Sequence, residues 1–155
     1  MSNSIIERFY TAFKEQNASE MAACYHPDVI FNDPAFKNLN YREVTAMWEM
    51  LIKRANGNLS IEHHSVMEDN ELGQCTWEAE YEFSKTGNAV HNIIHATMQF
   101  KDGKIIKHDD HFNFWKWSKM ALGLPGTLLG WTPFLKGKVQ KMARKSLDLY
   151  LEDKG

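Results

Sequence analysis

Cys75-Thr76-Trp77-Glu78-Ala79-Glu80-Tyr81-Glu82-Phe83 alternates apolar and polar side chains without a break, the period-two pattern of a strand with one dry face and one wet face. The alternation returns downstream, where Ile94, Ala96, Met98 and Phe100 interleave with His95, Thr97 and Gln99. Asp69-Asn70, Thr86-Gly87-Asn88 and Asp102-Gly103 punctuate the region as turns, so the middle of the chain reads as four antiparallel strands. A sheet with one apolar face needs a cover.

The cover lies upstream. Ile5, Phe9, Ala12 and Phe13 recur at helical steps and predict a first helix from about Ser4 to Gln16. Asn17 with Glu20 resembles a capping box and opens a short second helix through Met21, Cys24 and Tyr25, which Pro27 stops. Val29-Ile30-Phe31 is a short strand, and Asn32-Asp33-Pro34 is a turn. Asn40 and Glu43 repeat the capping pattern for a third helix with Val44, Met47, Trp48 and Leu51 inward, closed by Asn56-Gly57. Three helices against an antiparallel sheet predict a two-layer α+β fold.

Downstream of the sheet, His108 to Trp115 reads as the last strand. A Gly/Pro-rich apolar segment follows, from Leu122 to Trp131, and then Lys136 to Tyr150 with Val139, Met142, Ala143 and Leu147 at helical spacing. Residues 1–155 are therefore expected to be one domain, with 118–155 a C-terminal helical extension or lid. A dimer contact or an interfacial membrane patch flanked by Lys119 and Lys136 reads the same way.

Composition narrows the class. A chain of 155 residues with 43% hydrophobic and 25% charged side chains has the proportions of a soluble globular domain. Its formal charge of −2 offers no broad cationic surface, which argues against a nucleic-acid partner. Cys24 and Cys75 stand in no metal-binding or disulfide-framework spacing. Met1 to Arg8 does not read as a secretory leader, and a cytoplasmic location is expected. The uncharged run from Met120 to Leu135 is broken by Gly123, Pro125, Gly126, Gly130 and Pro133, so no transmembrane segment is expected.

Cys24-Tyr25-His26-Pro27-Asp28-Val29-Ile30-Phe31-Asn32-Asp33-Pro34 and Gly103-Lys104-Ile105-Ile106-Lys107-His108, in this order of elements, resemble the nuclear transport factor 2-like superfamily. The resemblance covers roughly Ile5 to Trp117. It includes ketosteroid isomerase, limonene epoxide hydrolase, SnoaL-like polyketide cyclases, scytalone dehydratase and a non-catalytic transport factor, so fold alone does not choose the function. It implies a cone: a strongly curved antiparallel sheet packed against three N-terminal helices, enclosing a pocket, with homodimers paired through the outer face of the sheet.

The resemblance also places Asp33 where ketosteroid isomerase has its general base. The isomerase's tyrosine donor falls on Phe9 and its protonated aspartate approximately on Ala96. Without those oxyanion donors ketosteroid isomerisation is disfavoured. Limonene epoxide hydrolase-like chemistry is disfavoured too, because no arginine occupies the matching inward strand position.

Asp33, near an apolar pocket, is a candidate general base, with an Asx turn as the structural alternative. On the last strand, alternation places His108, Asp110, Phe112 and Phe114 on one face, so His108 and Asp110 are same-face neighbours within reach of each other, expected to return a proton or support the charge while Asp33 removes a proton or orients water. The alternative is a buried polar pair that stabilises itself. Phe9, Tyr25, Trp48, His63, Trp77, Tyr81, Met98 and Phe112 are expected to line the pocket for a small hydrophobic ligand, although a packed core would use the same residue types. His64 should point outward, and His91, His95 and His111 belong to the polar face. No HxH or HExxH spacing is present, so no metal and no cofactor are expected. These residues point to cofactor-independent isomerase, cyclase, dehydratase or hydrolase chemistry, with a non-catalytic binding or dimeric interaction module as the alternative.

Overall fold

A computed structural model describes residues 4–154; the leader reading at Met1, Ser2 and Asn3, and the final residue of the C-terminal extension, lie outside them. Helix α1 (Ile5–Lys14) starts where the Ser4 side chain accepts a hydrogen bond from the Glu7 amide, and its buried stripe is Ile5, Ile6, Phe9, Tyr10, Ala12 and Phe13. Helix α2 (Ala18–Ala23) is capped by Asn17 accepting from Glu20 N. It ends before Tyr25, which is the first residue of strand β1 (Tyr25–Asn32). The expected short helix through Tyr25 is thus corrected: the strand takes over two residues ahead of Pro27.

Helix α3 (Tyr41–Ala55) has both halves of the capping box, with Asn40 and Glu43 each bonding the other's backbone amide, and Asn56 closes it in a left-handed conformation at φ 48° and ψ 46°. Strands β2 (Ser60–Glu68), β3 (Leu72–Glu82), β4 (Ala89–Lys101) and β5 (Lys104–His111) form the expected antiparallel meander. β1 adds to its far edge, parallel to β5, giving a mixed five-stranded sheet in the order β1-β5-β4-β3-β2. Irregular register at His64/Met67 in β2 and at Gln99/Phe100 in β4 bends the sheet. The fold is α+β, with the curved, open sheet packed on helices.

The last strand is shorter than the alternation suggests. It ends at His111, because Asn113 accepts from the Lys116 amide and starts helix α4 (Phe114–Leu122). Phe114 and Trp115 are therefore helical. Helix α5 (Leu124–Leu129) and the long α6 (Pro133–Lys154) complete the chain. Leu147 and Leu151 of α6 enter the main core, while Leu135 and Val139 join a second cluster with Val90, Phe114, Trp117 and Ala121. Arg144 pairs with Glu43, Lys154 with Glu49 at 2.8 Å, and Gln140 Nε2 donates to Pro34 O at 3.0 Å. Among the described residues, no helix is long and apolar enough to cross a membrane.

Gly126 lets α5 lie directly on α4. A Cβ at that position would sit 1.9 Å from the Ser118 carbonyl oxygen, which is backbone and cannot rotate away. Gly126→Ala is expected to destabilise the protein by about 1–3 kcal/mol, the usual range for overpacking. Urea denaturation would register this as a lower midpoint; an unchanged midpoint would mean that α5 is free to shift.

Candidate functional site

The parallel pairing of β1 with β5 brings two distant stretches of sequence together. Phe31 is paired with His108 and Asn32 with Asp109. One residue further along each segment come Asp33 and Asp110, and both line the same cavity of about 250 Å³ between the sheet, α3, α4 and α6. Trp48, Trp77, Tyr81 and Phe112 line it as well, together with Met47, Trp117, Val139, Met142 and Ala143. Apolar side chains dominate this wall, and the two carboxyl groups stand among them.

Asp33 begins a tight turn. Its Oδ1 accepts from Ala35 N at 2.7 Å and Phe36 N at 2.6 Å. The Asx-turn reading and the pocket reading therefore hold for the same carboxyl group, with one oxygen fixing the loop and the other available to the cavity. Asp33 lines the cavity and is half-buried. Burial pushes its pKa from 3.8 up to about 7; the Phe36 and Ala35 amides oppose this, and the negative charge of Asp110 adds to it. At neutral pH this carboxyl group can both take and release a proton.

Behind Asp110 runs a buried chain of hydrogen bonds. His108 Nε2 lies 2.9 Å from Asp110 Oδ1, and His108 Nδ1 lies 2.8 Å from the Tyr25 hydroxyl. Trp48 Nε1 donates to Tyr25 Oη at 2.9 Å, and Trp77 Nε1 donates to Asp110 Oδ1 at 3.3 Å. Burial raises the Tyr25 pKa well above 10, so the phenol keeps its proton. That proton is placed to satisfy His108 Nδ1, which leaves Nε2–H to donate to Asp110. Oδ1 then receives two N–H groups while Oδ2 is buried without a partner. A proton or a ligand donor reaching Asp110 therefore meets Oδ2.

The remaining sequence-derived candidates fall in different places. His108 is fully buried one layer behind the cavity, boxed edge-on by Phe9 and Phe31 at ring distances of 5.7 and 4.9 Å. Phe9 and Tyr25 are packed core beside it and do not line the cavity. His63 faces inward but toward α1, bonding Glu7 at 3.0 Å and stacking on Tyr10. Met98 borders a shallower, solvent-open depression of about 490 Å³ at another part of the sheet. Phe9, Tyr25, His63 and Met98 thus do not line this cavity: the rings of Phe9 and Tyr25 pack against Trp48 and His108, and the cavity lies between the sheet and α3, α4 and α6. His64 and His91 lie outside, sharing Glu78 at 3.0 and 2.8 Å.

Sequence reasoning missed Trp117 and the four α6 residues Val139, Met142, Ala143 and Ser146 as cavity wall, although the helical spacing of the first three was visible. Trp117 Nε1 donates to Tyr81 Oη at 2.8 Å, tying α4 to the sheet. Arg54 also borders the cavity, from the end of α3 and not from a strand. Among the described residues, no group of three or more His, Cys, Asp or Glu side chains is arranged to hold a metal ion.

Residues 6–108 match the SnoaL-like domain. No curated protein sequence matches the chain significantly. Among solved structures, IdmH of Streptomyces antibioticus, a candidate polyketide cyclase, superposes with a TM-score of 0.64 at 14% identity over 77% of this chain and 96% of its own. An LEH-like epoxide hydrolase of M. tuberculosis gives 0.59 at 17% identity over 80% of this chain and 92% of its own. An NTF2-like protein of unknown function from Cytophaga hutchinsonii gives 0.58 at 11% identity over 73% and 91%. At these identities the likeness is one of fold.

Proposed function

This chain belongs to the SnoaL-like family, and we propose that it is a cofactor-independent acid–base enzyme acting on a small hydrophobic molecule held in the cavity. The observation that carries the reading is the meeting of two carboxyl groups, Asp33 and Asp110, on one apolar wall. Asp33 is the proton acceptor, either from an activated carbon of the substrate or from a water that attacks it. Asp110 Oδ2 faces the reacting molecule as proton donor or charge partner. His108 touches no ligand here: it is a positioning residue, holding Asp110 in one rotamer through Nε2–H while Tyr25 fixes the imidazole. The apolar walls and the α4–α6 helices, serving as a lid, keep bulk water from the proton transfer. A homodimer paired through the outer sheet face and a cytoplasmic setting belong to the same reading.

The second reading is a binder without turnover. It is favoured by the phenylalanine at position 9 and the alanine at position 96, which supply no hydrogen-bond donors for an oxyanion. A panel of apolar carbonyl compounds and epoxides, incubated with the protein in D2O without added metal or nucleotide, separates the two. The enzyme reading expects deuterium incorporation or product for at least one compound. Saturable binding with neither would establish the carrier, and no binding at all would remove both.

A further inference from the structure

Residues 112–147 contain six lysines and one arginine but no aspartate or glutamate. The remainder of the chain carries eleven basic against twenty acidic side chains. Arg144 is engaged by Glu43 and Asp148. Lys116, Lys119, Lys136, Lys138, Lys141 and Lys145 are all exposed and form no ion pair among the described residues. In the midst of this acid-free stretch the fold turns large apolar side chains outward: Leu124 is 69%, Leu128 60%, Trp131 68% and Phe134 72% exposed. The geometry explains why. The small side of α5, at Gly126, lies against Ser118 of α4, so Leu124 and Leu128, one turn apart, face away, and Trp131 and Phe134 extend the patch around the corner into α6.

We propose that this patch is a docking surface for an anionic lipid bilayer. Exposed apolar side chains with a tryptophan, on a stretch of chain that carries exposed lysines and no carboxylate, match an interface in which hydrocarbon lies just beneath negative headgroups. A second copy of the chain is the poorer occupant: a symmetric contact would set the same cationic segment against itself. Docking involves only the outer side of the helices and stands whether or not the cavity performs chemistry.

The test is sedimentation with extruded vesicles of POPC containing 30% POPG, beside vesicles of POPC alone. The full chain is expected to bind the anionic vesicles at least about tenfold more tightly, and to release as salt is raised. Trp131→Ser with Phe134→Ser, and separately Lys136→Glu with Lys138→Glu, should each weaken binding about tenfold or more. All four side chains are exposed, so circular dichroism and the urea midpoint should be unchanged. Absence of vesicle binding, or equal binding to both vesicle types, overturns the proposal. It is also overturned if the Trp131/Phe134 variant turns a dimer into a monomer in light scattering.

Discussion

Asp33→Asn is expected to abolish turnover and to make the protein more stable at alkaline pH. The asparagine Oδ1 can still accept from Ala35 N and Phe36 N, so the turn is retained, but the group no longer titrates. Loss of a positioned general base costs about 10²–10⁴-fold in rate. The stability effect follows from linkage. Asp33 has a pKa of about 7 in the folded protein, against 3.8 for the unperturbed group. Between those values the folded state holds a proton that the unfolded chain has released. Stability therefore falls as pH rises from about 4 to about 7, and the whole penalty is in force above that window. A shift of this size corresponds to about 4 kcal/mol, which the partial exposure of Asp33 reduces to about 2–3. Thermal melts from pH 4 to 9 should show the variant above the parent at pH 8 and level with it near pH 4. A variant that keeps its turnover would remove the catalytic assignment; one that melts with the parent's pH profile would remove the buried-carboxyl assignment.

His108→Ala is expected to cause the largest loss of stability. It leaves the Tyr25 hydroxyl proton without its acceptor and Asp110 Oδ1 with only the Trp77 donor, and it opens a void inside the ring of Phe9, Phe31 and Trp48. Stranded buried polar groups and the lost ring together cost about 3–5 kcal/mol. Tyr25→Phe breaks the chain of hydrogen bonds at its other end without leaving a hole. Because the two residues share one proton arrangement, the double variant should cost less than the sum of the single variants, by about 1 kcal/mol or more. Additive urea midpoints would mean that the chain does not act as a unit.

The elements of the fold were legible wherever local chemistry dictates them. The Asn40–Glu43 capping box, the alternation of β3 and β4, and the apolar stripe of α1 all form as their spacing implies. Two boundaries were not legible for identifiable reasons. His108, Asp110, Phe112 and Phe114 keep a period-two rhythm, but Asn113 has the short polar side chain a helix start requires, and the cap decides. Tyr25 fits helical spacing from Met21, yet its hydroxyl is held in the strand by His108 and Trp48. Alternation was enough to put His108 and Asp110 on one face. It did not reveal that Asp33 would stand beside them, since that depends on the parallel partner of β1, a choice made by distant residues. Of the expected ring set, Trp48, Trp77, Tyr81 and Phe112 line the cavity while Phe9 and Tyr25 pack beside His108: sequence names the rings but not the volume they fill.

The edge position of β1 also bears on how the molecule assembles. Strands β2 to β5 join through short reversals, so each hairpin closes with little loss of chain freedom. Docking Phe31 beside His108 instead requires closing a loop that contains all of α3 and three strands. Contacts with so long an intervening segment form slowly. The meander and its apolar face should therefore exist before the two aspartates meet, making the shared carboxyl wall of the cavity the last feature the newly made polypeptide acquires.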